Sequence, residues 1–284
     1  MIPVTIILAA AVVFFFPSDA LAWGPATHLD IGWRVLHNSH GLTGALMALI
    51  EKYPYDFLYG NISADIVIAK SMMKEKVHCH NWSVGRKVLD IAESDSQKAF
   101  AYGYLSHLAA DTVAHNDFIP EMMIRSFATT IHRHIYWEMR FDAHAGKRVW
   151  LLPDKIALKG HPDNDALLNA VIEGAPLSFK TNKRVFSNIV NIQRIEHWHR
   201  MLNHLSKKSV WVFKKADREA WLASCMDAVS GFINDPDGAV CTERDPTGRR
   251  NLREAAGARK RLKTARRHGR DVEPLMDEEL KRLT

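Results

Sequence analysis

Apolar residues recur every three or four positions along almost the whole chain, and strict alternation of apolar and polar residues is hard to find. Apolar positions with this spacing lie on one face of a helix, whereas alternation would indicate a half-buried strand. The chain is therefore predicted to be all-α, a single multi-helix domain. The clearest helical patterns cover residues 29–36, 46–50, 84–91, 122–141, 167–171, 185–202 and 221–232.

The first 22 residues differ from the rest, because an apolar run from Val4 to Phe16 is followed by Pro17 and by the triplet Ala-Leu-Ala. This arrangement predicts a signal peptide over residues 1–22, cleaved before Trp23, and export to the periplasm or out of the cell. An uncleaved membrane anchor is the less favoured alternative, since the run is shorter than the roughly 20 residues that span a bilayer.

Positive charge is concentrated at the other end of the chain. Residues 242–284 contain 13 Lys/Arg and 8 Asp/Glu, a net of +5 out of +6 for the whole chain. We interpret them as a basic tail, helical or disordered, and favour a solvated surface over contact with anionic lipid or nucleic acid. Residues 23–241 contain no evident linker and are predicted to form one domain. Cys225 and Cys241 could pair in an oxidising compartment, a question that the sequence leaves open.

The candidate chemistry begins in the stretch HLAADTVAH, where His107, Asp111 and His115 lie four residues apart. In a helix they form one polar stripe, and its apolar flanks indicate burial, so the stripe needs a partner. A second pair, His134 and Glu138, has the same spacing. One such pair is often only a surface contact. Two helices that each present imidazole and carboxylate can build a metal site in a cleft between them, and these ligand types favour zinc.

Three more candidate ligands lie upstream: Asp65 in YGNISADIV, His80 in HCHNW and His28 in WGPATH. His78 is an alternative to His80, which we favour because an aromatic residue follows it closely. Cleavage before Trp23 would also create a free α-amino group. Its ordinary pKa of about 7.7 to 8.0 makes loss of the proton, and metal binding, inexpensive near neutral pH.

The ordered set over residues 23 to about 140 resembles the zinc-dependent phospholipase C family, whose fold is shared with the S1/P1-type nucleases. The resemblance implies two or three zinc ions, with three favoured. Trp23 would bind one through its amino nitrogen and carbonyl oxygen, together with His28, and Asp111 would bridge to a neighbouring ion. The remaining assignments that it implies are Asp65, His80, His107 and Asp111 for the second ion, and His115, His134 and Glu138 for the third.

Some spacings depart from the family pattern or divide between its branches. Asp111 and His115 are four residues apart, where both classical branches have six. The short interval from Trp23 to His28 looks more like the nucleases, whereas Glu138 and the His80-Asn81-Trp82 turn look more like the phospholipases.

Three zinc ions carry +6, and Asp65, Asp111 and Glu138 return −3, which leaves a positive pocket suited to a phosphodiester. Together with the resemblance, this leads us to expect a phospholipase C-type hydrolase that converts phospholipid into diacylglycerol and a phosphorylated head group, with Asp65 as the general base. The alternatives are a single-strand nuclease or nucleotidase acting on nucleic acid, and an exported zinc-binding protein without turnover. Nothing in the sequence implies a protein partner.

Overall fold

The computed structural model describes residues 23–37, 44–67, 78–128, 134–172, 174–193 and 213–283, apart from the side chains of residues 134, 135, 157–159, 192 and 193. The predicted signal peptide lies outside these ranges. Within them the chain forms helices and no strand, so the all-α prediction is confirmed. None of the helices in these ranges is long and apolar enough to cross a bilayer.

The described α-helices are numbered in chain order. They are α1 Pro25–His37, α2 Ala45–Lys52, α3 Pro54–Ser63, α4 Trp82–Asp90, α5 Asp95–Val113, α6 Ile119–Arg125, α7 His134–Ala143, α8 Leu152–Lys159, α9 Pro162–Val171, α10 Phe179–Gln193, α11 Lys215–Asn234, α12 Arg249–Arg267 and α13 Glu273–Lys281. The shorter elements are the 3-10 turns Ala64–Ile66, Val149–Leu151 and Val240–Glu243, and a π-helical turn, Ala114–Phe118.

Helix α5 forms the centre of the domain and packs against α3, α4 and α11. It begins with a capping box, in which the Ser94 hydroxyl and the Gln97 side chain each accept a backbone N–H of the other residue. From Ala99 onward almost every residue is buried. A helix that is covered on all sides lies in the core, so polar side chains on its inner turns are buried as well.

Two glycines allow α3 and α5 to approach until their backbones touch. A Cβ atom on Gly103 would lie 2.1 Å from the carbonyl oxygen of Phe57, and one on Gly60 would lie 2.0 Å from that of Phe100. Real side chains do not tolerate such distances, so only glycine fits at this crossing. The close approach brings the main chain of Asn61 to the side chain of His107.

A buried ion pair joins three other helices. Arg218 of α11 lies 2.9 Å from Asp30 of α1, and its Nε donates to the carbonyl oxygen of Phe141 in α7. Both side chains are nearly inaccessible, so removing either one would leave an uncompensated buried charge. The pair fixes the position of α1 in the bundle.

The basic tail, for which we expected helix or disorder, forms α12 and α13 in its described part. Ala255, Ala258 and Leu262 of α12 pack on Ile124 and Phe127 in a second, smaller apolar cluster. The cations of α12 lie mainly on its opposite, exposed side. All three cysteines are free and buried, which answers the open question about Cys225 and Cys241.

We expect Gly103→Ala to lower the free energy of unfolding by roughly 2 kcal/mol, because the new methyl group forces α3 and α5 apart. Urea denaturation measures the change. Gly231→Ala in α11 is the matched control, since a Cβ there meets nothing within 4 Å. Its greater helix propensity should raise stability by up to about 1 kcal/mol. Equal behaviour of the two variants would contradict the close-packing argument.

Candidate metal centre

Five buried side chains from four parts of the chain converge at one point. His28 comes from α1, Asp65 from the 3-10 turn after α3, His80 from the loop before α4, and His107 and Asp111 from α5. The Nε2 atom of His80 lies 3.3 Å from an oxygen of Asp65 and 3.2 Å from an oxygen of Asp111. The structure thus unites residues that are as much as 83 positions apart in the sequence.

The hydrogen bonds of His107 determine which of its two ring nitrogens carries the proton. The Nδ1 atom of His107 is 2.8 Å from the carbonyl oxygen of Asn61, and a carbonyl can only accept a hydrogen bond. Nδ1 is therefore the donor, and in the neutral ring the lone pair is on Nε2. That atom lies 3.1 Å from both the Asp111 carboxylate and the Nε2 atom of His80. Lone pairs at this separation repel one another unless a proton or a metal cation lies between them.

Asp111 faces imidazoles on two sides. One of its oxygens is 3.3 Å from Nε2 of His28, and the other faces His80 and His107. Within the described part of the chain, neither these oxygens nor the ring nitrogens of His28 have hydrogen-bond geometry. A buried carboxylate without such bonds is costly, and a shared cation would remove the cost.

The donor set fits zinc, which prefers imidazole nitrogen and carboxylate oxygen. His28, His107 and Asp111 form one group whose ligand atoms lie within 4.8 Å of one another, and Asp65, His80 and His107 form another. Asp111 directs its two oxygens toward different imidazoles, which is the arrangement that a bridging carboxylate needs. The peptide carbonyl behind His107 also matches metal sites, where the second ring nitrogen commonly donates to such an acceptor.

Burial and neighbouring charges hold two of these groups in the form that binds a metal. Burial, aided by His107, lowers the pKa of His28 to about 4, so the ring is neutral at neutral pH. For Asp111 burial acts in the opposite direction, but His107, His28 and His80 together hold its pKa well below the usual range. A neutral imidazole and an ionised carboxylate are the states that a metal requires.

The loop before α4 directs His80 into the cluster, whereas His78 contacts the backbone of the same loop. Nδ1 of His78 accepts the backbone N–H of His80, while the ring of His80 extends to Asp65 and Asp111. Tyr104 anchors the loop by donating to the carbonyl oxygen of Cys79 at 2.5 Å. His78, Cys79 and His80 also form a potential ligand group of their own.

Of the four other ligands suggested by the sequence, His115 and Glu138 are not members of these groups within the described residues. His115 is buried in the π-helical turn, with Nδ1 2.6 Å from the carbonyl oxygen of Pro246. The wider turn moves it out of the α-helical register of Asp111. Glu138 is buried on α7. The Trp23 indole packs between Phe118 and Phe141, and the His134 side chain lies outside the described set.

Sequence reasoning missed two supporting residues. Asp142 accepts the backbone N–H groups of Ala26 and Thr27 and the hydroxyl of Thr27, which satisfies the first turn of α1 next to His28. Its position four residues after Glu138 was an available signal. Asn61 acts through its main-chain carbonyl, for which a sequence has no signal.

A sequence model of the family described as zinc dependent phospholipase C matches residues 27–209. The chain belongs to the zinc-dependent phospholipase C family. No curated protein and no solved structure matches it. All five convergent side chains lie within the matched residues, and Trp23 and the basic tail lie outside them. Membership supports a zinc-dependent function of the phospholipase C type, so the resemblance seen in the sequence is confirmed at the level of the family.

Asp142 makes stability depend on pH. Burial raises its pKa to about 6, against the opposing effects of Thr27, Arg218 and the α1 amides. Because the folded-state pKa exceeds the unfolded value of 3.8, its contribution is full below about pH 4 and is lost as pH rises through 6. Asp142→Asn removes this dependence. The unfolding free energy of the variant minus that of the wild type should rise by roughly 2–3 kcal/mol from pH 4 to pH 7.

Urea titrations of both proteins at the same zinc concentration measure this difference, in which pH effects common to the two proteins cancel. A difference that stays constant across the range would show that Asp142 does not titrate in the folded protein.

Proposed function

We propose that the protein is a zinc-dependent phosphodiester hydrolase that cleaves phospholipid into diacylglycerol and a phosphorylated head group. The observation that carries the proposal is the convergence of imidazole nitrogen and carboxylate oxygen atoms from His80, His107 and Asp111, 3.1–3.2 Å apart in a buried place. Membership in the phospholipase C family supports the lipid substrate.

The proposed ligand set extends beyond the five convergent residues. We assign one ion to His28, Asp111 and the main chain of Trp23, and a second to Asp65, His80, His107 and Asp111. A third is assigned to His134, Glu138 and His115. When bound, zinc supplies Lewis acidity toward a phosphoryl oxygen, acidifies water and stabilises a departing alkoxide.

The residues of the chain orient these groups and exclude water. His107 is held by the Asn61 carbonyl, and His28 is held by α1, whose first turn Asp142 caps. Because the site is buried in the bundle, water competes little with the protein ligands, and charges act more strongly on a bound phosphodiester than they would in solvent. Asp65, Asp111 and Glu138 offset only part of the charge of the ions, which leaves a field that favours an anionic substrate.

Asp65 is proposed as the general base. It lies in the 3-10 turn after α3, with one carboxylate oxygen 3.3 Å from His80. In this role it orients a water molecule and accepts its proton as the oxygen attacks phosphorus. Attack proceeds in line, so the diacylglycerol oxygen departs on the opposite side.

We expect Asp65→Asn to lower turnover of phosphatidylcholine by about 10²–10⁴-fold while most of the zinc is retained. The amide keeps the shape of the side chain but cannot accept the proton. Release of phosphorylated head group measures turnover, and elemental analysis measures zinc. Asp163→Asn, an exposed substitution at the start of α9, is the control and should leave both unchanged.

The same preparation is offered single-stranded DNA in parallel. Cleavage of DNA but not of lipid would replace the phospholipase with a nuclease. Zinc binding without activity on either substrate would indicate a zinc-binding protein without turnover. An unchanged rate for Asp65→Asn would remove this residue from the mechanism.

We further propose that the protein is exported and that cleavage before Trp23 completes the site, because the freed amino group becomes a ligand. A chain that begins at Trp23 should bind one more zinc ion than a chain with an additional alanine in front of it. Elemental analysis of the two purified proteins measures the ratio of zinc to protein. The same zinc content in both would exclude the terminal amine as a ligand.

A further inference from the structure

The segment that leads into α12, together with the first residues of that helix, is joined to the π-helical turn that contains His115. This docking segment, residues 244–251, receives the Nδ1–H of His115 on the carbonyl oxygen of Pro246 at 2.6 Å. The carbonyl oxygen of Asp245 accepts from the side-chain amide of Asn116 at 2.9 Å. In return, Asn251 donates to the carbonyl oxygen of Asn116 at 2.8 Å. Three hydrogen bonds thus connect two consecutive residues of the turn to the docking segment.

Further contacts hold the start of the docking segment in place. Both terminal nitrogens of the Arg244 guanidinium bind the carboxylate of Asp117, at 2.9 and 2.6 Å. The carbonyl oxygen of Arg244 accepts the indole N–H of Trp82 at 2.9 Å. Arg244 therefore connects the segment both to the π-helical turn and to α4, which follows the loop of His80.

The backbone of Gly248 packs closely against the backbone of His115. The Gly248 φ of +55° lies in the left-handed region, and a Cβ atom there would be 2.3 Å from the carbonyl oxygen of His115. The Asp245 carboxylate accepts the backbone N–H groups of Thr247 and Arg249, so the turn into α12 is rigid by itself. The docking segment consequently presents a preformed surface to His115.

The bond to Pro246 determines the tautomer of His115. A carbonyl oxygen only accepts, so Nδ1 carries the hydrogen, and the lone pair of the neutral ring is on Nε2. The same arrangement occurs at His107, whose Nδ1 donates to Asn61. An acceptor behind the imidazole that fixes both its tautomer and its orientation is the usual second layer of a metal site.

We propose that the docking segment is a positioning element of the metal centre, which holds His115 so that Nε2 binds a zinc ion. The inference rests on the proposed zinc-dependent function. It assigns a role to residues 244–251, which lie beyond the residues that the family model matches. Pro246 supplies the acceptor, and Gly248 and Asn251 keep it in place.

Gly248→Ala tests the role of the docking segment in the otherwise intact chain. The methyl group should push the segment away from His115, and the affinity for one zinc ion should fall about 10- to 100-fold while the other ions are retained. Gly269→Ala is the matched control, because Gly269 has a similar φ of +69° but a Cβ there meets nothing within 4 Å. Backbone strain is then common to both variants, and only Gly248→Ala disturbs His115.

Zinc titration against a competing chelator measures the affinities, and ¹⁵N NMR of the His115 ring measures its tautomer. In the wild type and Gly269→Ala we expect the Nδ1–H form and a shift of the Nε2 resonance when zinc is added. Gly248→Ala should lose this form. Equal zinc affinities in the two variants would overturn the proposal. So would a His115 Nε2 resonance of the wild type whose chemical shift does not change when zinc is added.

If Gly248→Ala does not fold, Asn251→Ala takes its place and removes the 2.8 Å bond to the π-helical turn. Lys260→Ala, on the exposed side of α12 and outside the docking segment, is its control. We expect about tenfold weaker binding of one zinc ion in Asn251→Ala only, and equal affinities would again overturn the proposal. None of these measurements uses a substrate, so a failure of the lipid assay tests the proposed function without affecting this result.

Discussion

The structure depends on a repulsion that the fold maintains. The lone pair on Nε2 of His107 lies 3.1 Å from the Asp111 carboxylate, and Nε2 of His80 approaches both groups to 3.1–3.2 Å, in a place that solvent does not reach. Hydrogen bonding cannot relieve it fully, because the ring proton of His107 is already donated to Asn61. Such an arrangement costs free energy in the metal-free protein and is stabilised by divalent cations. The rest of the bundle has to be stable enough to hold these groups together before the metal binds.

Several packing contacts hold the ligand groups together in this way. Gly60 and Gly103 bring α3 and α5 into backbone contact, which sets the separation of Asp65 from Asp111. The α1 helix, which carries His28, is fixed at its start by Asp142 and at Asp30 by the buried Arg218. The helices that carry His28, His107 and Asp111 are therefore anchored by contacts outside the cluster. A site on rigid helices loses less entropy when the metal binds than one on mobile loops.

The sequence was sufficient for the all-α class because the helical period runs through nearly the whole chain. Four-residue spacing correctly placed His107 and Asp111 on one face, since α5 is α-helical up to Val113. The same spacing predicted His115 on that face as well, but a π-helical turn begins at Ala114, and nothing in the apolar pattern marks it. Which distant residues complete a site depends on tertiary packing, and an acceptor that is a main-chain carbonyl has no signature in side-chain chemistry.

The positions of those acceptors have a common physical cause. Inside a helix each carbonyl already accepts the amide four residues later, so a buried imidazole competes with fewer backbone bonds when its acceptor lies elsewhere. Carbonyls without such partners occur in the last four residues of a helix and in loops. Asn61 lies in the last four residues of α3, and Pro246 lies in the loop before α12. The need for an acceptor beside the buried His115 thus gives a reason why a loop from the basic tail packs against the helical domain, a reason unrelated to the charge of the tail.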